Sequence, residues 1–151
     1  MKPTRREFVA AAGATVAGCA FCVFGAGAAM AAPFQVKTGP VSVGNLSDFT
    51  ADGIFDQFAR SEQVVLIRRG GMLSACPAIC THKQAILKGV EGQLRCPTHG
   101  SRYAPDGSVV KGPAKQPLDH LAIAADASGN LTVDRSRRVD ISDPSATVKA
   151  S

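Results

Sequence analysis

The chain has 151 residues, with 17 basic and 12 acidic side chains, a formal net charge of +5 and five cysteines. Setting aside residues 1–31, which hold Lys2, Arg5, Arg6 and Glu7, leaves 120 residues with 14 basic and 11 acidic side chains, a net +3 spread along the sequence. No basic run is interleaved with aromatics, which excludes nucleic acid as the expected partner and leaves the charge as solvated surface, with help in docking an acidic partner as the alternative. There is no nucleophile–base pair, phosphate loop or dinucleotide fingerprint, so no substrate site of the chain's own is expected. The length suits one domain with a modest core.

In chain order, Thr4-Arg5-Arg6-Glu7-Phe8-Val9 resembles a twin-arginine export signal. The stretch from Phe8 to Val36 carries no charge and is rich in Ala and Gly, as such signals are. The resemblance implies the twin-arginine (Tat) translocase as a partner, and the periplasm or the periplasmic face of the cytoplasmic membrane as destination. Three fates stay open for the segment. Ala29-Met30-Ala31 offers an A-x-A cleavage site, which would release a domain beginning near Ala32. Val9 to Ala32 would be about 36 Å long as a helix, enough to remain as an anchor across about 30 Å of hydrocarbon. Val16-Ala17-Gly18-Cys19 is similar to a lipobox, although the apolar run continues past Cys19. The expected division is 1–31 as signal or anchor, 32–134 as the domain and 135–151 as a polar tail.

Past the leader the elements read as all-β. Val41-Ser42-Val43 is a short apolar piece, and Gly53 to Arg60 suits one short helix or turn. Gln63 to Arg68 is a strand rich in Val and Ile, Gly70-Gly71 a tight turn, and Met72 to Cys76 the returning strand. Val90 to Arg95 turns on a glycine into another short strand. Asp106-Gly107 marks a hairpin turn, with Ser108-Val109-Val110 leaving it. Leu118 to Ala124 and Asn130 to Val133 form a closing hairpin. Residues 135–151 are polar, contain Pro144 and lack sustained periodicity, so a loose tail is expected. His120 falls among Leu118, Leu121 and Ile123, on the polar face of a strand, where a structural or surface role is expected. Cys76 ends an apolar run and reads as a small buried residue.

Two clusters carry the chemistry. Cys80-Thr81-His82 and Cys96-Pro97-Thr98-His99 each join one thiol to one imidazole, and thirteen residues, Lys83 to Arg95, separate them. Thiolates hold ferric iron and sulfide well, and a neutral imidazole leaves its iron less compensated and easier to reduce, so a one-electron carrier is implied. A structural zinc site also uses Cys and His at short spacing and stays open, though zinc motifs more often pair C-x2-C with H-x3-5-H.

The arrangement C-x-H, spacer, C-x2-H resembles the Rieske family of iron–sulfur proteins, over about Val64 to Val133. The resemblance implies a small antiparallel β sandwich or barrel with two cluster-binding hairpin loops, and one [2Fe-2S] cluster per chain. It makes Cys80 and Cys96 ligands of an inner iron, and His82 and His99 ligands of an outer, exposed one. Gly100-Ser101-Arg102-Tyr103 continues the second motif as in the family, where the serine and tyrosine hydroxyls donate to cluster sulfur and raise the potential. Gly112-Pro113-Ala114 and Pro117-Leu118 look like the family's proline loop. Ala85 and Thr98 stand where many quinol-oxidising members carry a disulfide, so loop geometry here must rest on packing and on the Gly-Pro-Ala segment. The implied function is single-electron transfer in an exported oxidoreductase of the quinol:cytochrome c type. Its implied partners are a cytochrome c or b-type protein or a larger oxidoreductase subunit, with quinol as donor. Alternatives are the small subunit of a molybdenum oxidase of the arsenite-oxidase type, a ring-hydroxylating-oxygenase ferredoxin, against which the export signal argues, and a non-redox zinc module.

Overall fold

Two antiparallel sheets organise residues 33–150, the part of the chain that the computed structural model describes. The twin-arginine motif, the Ala29-Met30-Ala31 site, Cys19 and Cys22 lie outside the described residues. The larger sheet has seven strands: β1 (Pro40–Asn45), β2 (Gly53–Phe55), β3 (Val64–Arg69), β4 (Met72–Pro77), β9 (His120–Ala125), β10 (Asn130–Val139) and β11 (Thr147–Lys149). Their spatial order is β1-β10-β9-β4-β3-β2, with β11 beside β4. The smaller sheet runs β5 (Lys88–Val90), β6 (Gln93–Arg95), β7 (Arg102–Tyr103), β8 (Val109–Lys111) in sequence order. Two three-residue 3-10 turns, Leu46–Asp48 and Pro144–Ala146, are the helical content of the described residues. The all-β expectation holds.

The continuous apolar run Val64-Val65-Leu66-Ile67 makes sense once both faces of β3 are seen to be buried. Val64 and Leu66 point into one hydrophobic cluster with Val43, Phe49, Leu73, Leu121, Leu131 and Val133. Val65 and Ile67 point into the other, with Cys76, Leu87, Leu94, Tyr103 and Leu118. A strand covered on both sides loses the polar alternation of a half-exposed one. Burying each such side chain contributes about 1.5–3 kcal/mol, so this strand ties the two cores together. At its end Gly70 (φ 58°) and Gly71 (φ 76°) both take left-handed backbone, as a two-residue primed turn requires. The turn sets a regular register from Arg69↔Met72 to Val64↔Pro77, which delivers the chain to the first motif.

Three expectations need correction. Gly53 to Arg60 is strand β2 followed by a turn over 57–62, because Ile54 and Phe55 pair with Ile67 and Leu66. Of the expected loose tail 135–151, the described residues 135–150 are ordered into the sheet. Strand β10 continues to Val139, pairing Arg138 and Val139 with Leu121 and His120, and β11 adds to the free side of β4 through Thr147↔Ser74 and Lys149↔Met72. Two turns in which Asp140 and Asp143 accept from the amide and hydroxyl of Ser142 and Ser145 fold the chain back. A bulge and a three-residue strand leave no periodicity to read, which is why composition misleads there. Third, of the structural and surface roles expected for His120, the structural one holds: it is 6% exposed rather than on a solvent-facing strand face.

Candidate metal centre

Strand β4 ends at Pro77, and the chain then forms a six-residue loop, Cys80 to Ala85, closed where the Cys80 amide donates to the Ala85 carbonyl at 2.8 Å. The bridge Ile79↔Ile86 supports its base. Strand β6 leads into a second six-residue loop, Cys96 to Ser101, closed by the equivalent bond from the Cys96 amide to the Ser101 carbonyl, also 2.8 Å. Cysteine opens each loop. The fifth position of each has positive φ, Gln84 at 33° and Gly100 at 78°.

Between these loops the expected residues meet. Cys80 and Cys96 are buried free thiols, the Cys96 thiol close enough to interact with Cys80. His82 and His99 are exposed, their rings edge to face with centroids 5.0 Å apart. Two thiols thus lie inside and two imidazoles outside. A mononuclear zinc site gathers three or four ligands about one point. Among the described residues no three His, Cys, Asp or Glu side chains do so.

Tyr103 is fully buried under the first loop, its hydroxyl 3.3 Å from Cys80 Sγ and accepting the Thr81 amide at 3.1 Å. Thr81 Oγ1 lies 3.0 Å from the same hydroxyl and donates to the Gln116 carbonyl at 2.8 Å. With the threonine proton engaged, the Tyr103 proton is left for Cys80 Sγ or Thr81 Oγ1. Burial, then the Cys80 sulfur, pushes the Tyr103 hydroxyl above the usual phenol range, which keeps it a neutral donor. Burial alone would raise Cys80, but hydrogen bonds from Tyr103, the His82 amide, the Cys96 thiol and the Lys83 amide outweigh it and hold Cys80 below the ordinary thiol value. That favours the thiolate a metal needs.

Ser101 is fully buried and its Oγ accepts the Ala114 amide at 3.0 Å. Its own proton has no acceptor among the described residues, and a buried unmet donor at the end of the second loop fits a sulfide-bearing cluster. The residues present therefore suit a [2Fe-2S] group. The segment Gly112 to Leu118 joins both loops, through Ala114 to the second and Gln116 to the first, and Leu118 donates to the Gly107 carbonyl at 2.9 Å. Ala85 and Thr98 form no staple; this segment takes its place.

Sequence reasoning missed Thr81 and Gln116, whose bond spans 35 residues with no local signal. It also missed a buried bridge. His120 Nε2 donates to the Asp106 carbonyl at 3.1 Å, and its Nδ1 faces the Cys76 thiol at 3.6 Å. Burial, helped by the Asp119 and Asp106 carboxylates, pushes Cys76 up to about 12. Cys76 is thus an inert buried thiol. The bridge links the strand entering the first loop to the turn that follows the second.

Fold and site define an all-β iron–sulfur protein with two cluster-binding loops. The model of the Rieske [2Fe-2S] domain family matches residues 39–124, and the chain belongs to that family and carries a [2Fe-2S] cluster. It is 36% identical over 86 residues to the cytochrome b6-f complex iron-sulfur subunit of Chlorobaculum tepidum, a match covering 55% of this chain and 47% of that protein. The chain thus spans about half the length of that curated relative. Among solved structures it is similar to the cyanobacterial plasma membrane Rieske protein PetC3 from Synechocystis PCC 6803, with 30% identity, TM-score 0.50, and coverage of 62% of this chain and 98% of that one. The complex of oxygenase and ferredoxin in carbazole 1,9a-dioxygenase shares the fold at TM-score 0.50 and 19% identity, covering 69% of this chain and 100% of that one.

Proposed function

We propose that Cys80 and Cys96 hold the inner iron and His82 and His99 the outer iron of one [2Fe-2S] cluster. The chain then passes single electrons as the iron–sulfur subunit of an exported complex of the quinol:cytochrome type. The observation that carries this reading is the pairing of two buried thiols with two exposed imidazoles on two loops of the same construction. When bound, the cluster supplies a one-electron couple with two inequivalent irons.

The surrounding residues do the rest. Tyr103, kept neutral, donates toward the Cys80 sulfur, and Ser101 has a proton free for a bridging sulfide. Both donors favour the more negative, reduced state. The proposed potential therefore lies in the upper half of the family window of roughly −150 to +300 mV, lowered somewhat by the missing disulfide. One of the exposed rings, His82 or His99, accepts a hydrogen bond from a docked quinol and takes one proton as one electron passes to the cluster. The kinship to cytochrome b6-f iron-sulfur subunits supports cytochrome or b-type partners. Arg5-Arg6 supports export through the Tat translocase to the periplasmic side, a route that carries folded cargo and so a cluster already assembled.

A potentiometric titration from about pH 6 to about pH 10 tests the coupling. The potential is expected to fall with pH across the upper part of that range, and a flat potential overturns proton transfer at the imidazoles. Replacing Arg5-Arg6 with two lysines should trap the protein in the cytoplasmic fraction, and unchanged fractionation overturns the export route. Copurification with a molybdopterin-containing chain would overturn the quinol assignment in favour of an oxidase small subunit.

A further inference from the structure

Along the sequence the basic residues look scattered, but the register of the small sheet gathers four of them. Lys88 on β5 is directly opposite Arg95 on β6, Arg95 is opposite Arg102 on β7, and Arg102 is opposite Lys111 on β8. Directly opposed residues share a face of a sheet, with neighbours about 4.5–5.5 Å apart. The row therefore crosses all four strands on one side. Leu94 and Tyr103, which alternate with it, are buried on the other side, so the row faces solvent.

Like charges directly opposite one another destabilise a sheet. Among the described residues, none of the four makes an ion pair or a side-chain hydrogen bond, whereas Arg68, Arg135 and Arg138 on the large sheet are each paired with a carboxylate. Glu91, in the β5–β6 turn, lines a depression with Arg95 and Arg102 but forms an ion pair with neither. Exposed apolar groups adjoin the row. Val90 is 37% and Val110 53% exposed, and Val90 and Pro97 join Lys88 and Arg95 around a depression of about 250 Å³. Apolar contact set among charges is the make-up of a transient protein interface.

We infer that the outer face of strands β5 to β8 docks the acidic surface of a redox partner protein. This rests on the electron-transfer reading above and names the chemistry of the partner. Position favours a protein over an anionic membrane. Arg95 and Arg102 immediately precede and follow the second loop, so a partner seated on the row stands beside His99, where electron transfer needs it. A lipid surface there would cover the loop that must meet the partner.

The test is binding of an acidic c-type cytochrome, with a basic c-type cytochrome and phosphatidylglycerol vesicles as controls, followed by titration calorimetry at low and high salt. Full-length protein is compared with the exposed double variant Lys88→Gln/Lys111→Gln and with Arg102→Gln. The expected result is tighter binding to the acidic cytochrome than to either control, weakened about tenfold or more by salt and by either variant. Thermal stability should be unchanged or raised in the variants, because the row is no structural asset. Equal binding by wild type and variants, a preference for vesicles, or no binding to the acidic cytochrome at low salt would overturn the inference. Absence of a cluster signal in the wild type would instead count against the electron-transfer reading, since the binding measurement does not depend on it.

Discussion

The two metal loops share one plan and differ in how they are held. Each has six residues, begins with a buried cysteine and closes through a 2.8 Å backbone bond. The first hangs from a side-chain relay, Tyr103 to Thr81 to the Gln116 carbonyl, and bends at Gln84 in left-handed backbone. The second bends at Gly100, where that backbone carries no side-chain penalty, and is tied by one bond between Ser101 and the Ala114 amide. One loop is thus secured by polar contacts from distant strands and the other largely by its own backbone. The first should be the more sensitive to single substitutions at its supports.

The largest effect breaks the shared feature. Cys80→Ser or Cys96→Ser should abolish cluster incorporation, read as loss of iron and acid-labile sulfide, because in the proposed ligand set each loop supplies one of the two thiolates. Tyr103→Phe should come next, lowering the reduction potential by about 60 mV, a tenfold change in a one-electron equilibrium. An unchanged potential would mean the hydroxyl spends its proton on Thr81 alone.

Cys76 probes the strand feeding the first loop. Its thiol is pushed up from 9.0 to about 12 by burial, so the folded state holds the proton more tightly than the unfolded one. The stability that depends on it is intact below about pH 9 and is lost as pH rises toward about 12, at about 1.4 kcal/mol per unit. Urea unfolding at pH 8 and at pH 10 should show this loss in the wild type and a smaller one in Cys76→Ala.

Smaller effects sharpen the contrast. Thr81→Val cuts the relay and should cost about 1 kcal/mol in urea unfolding. Gln84→Gly removes the left-handed strain and should stabilise the protein by up to about 1 kcal/mol, provided the added freedom of the unfolded chain does not cancel it.

The two Cys/His loops were legible because spacing within each loop is local, and the Gly70-Gly71 hairpin because its turn chemistry is written in adjacent residues. Ser101 and Tyr103 could be placed only through resemblance to a family. Thr81 to Gln116, Cys76 to His120 and the cationic row depend on strand register between distant segments, which one sequence does not display. Residues 135–151 misled for a different reason: their structure is made by Asp-x-Ser turns and a strand too short for periodicity. The same turn recurs at Asp106, Asp126 and Asp134; hydrogen bonds from Ser108 and Ser136 hold the Asp106 and Asp134 carboxyls below their ordinary values, and bonds from Asn130, with the Ser128 amide, do so at Asp126. Five such pairs were visible as a pattern in the sequence.

The most direct test is electron paramagnetic resonance of the dithionite-reduced protein, with iron, sulfide and zinc analysis on the same sample. Two iron and two sulfide per chain, with a rhombic signal whose average g lies below that of an all-cysteine cluster, is the expected result for two thiolates and two imidazoles on inequivalent irons. Zinc without sulfide and no signal would contradict it.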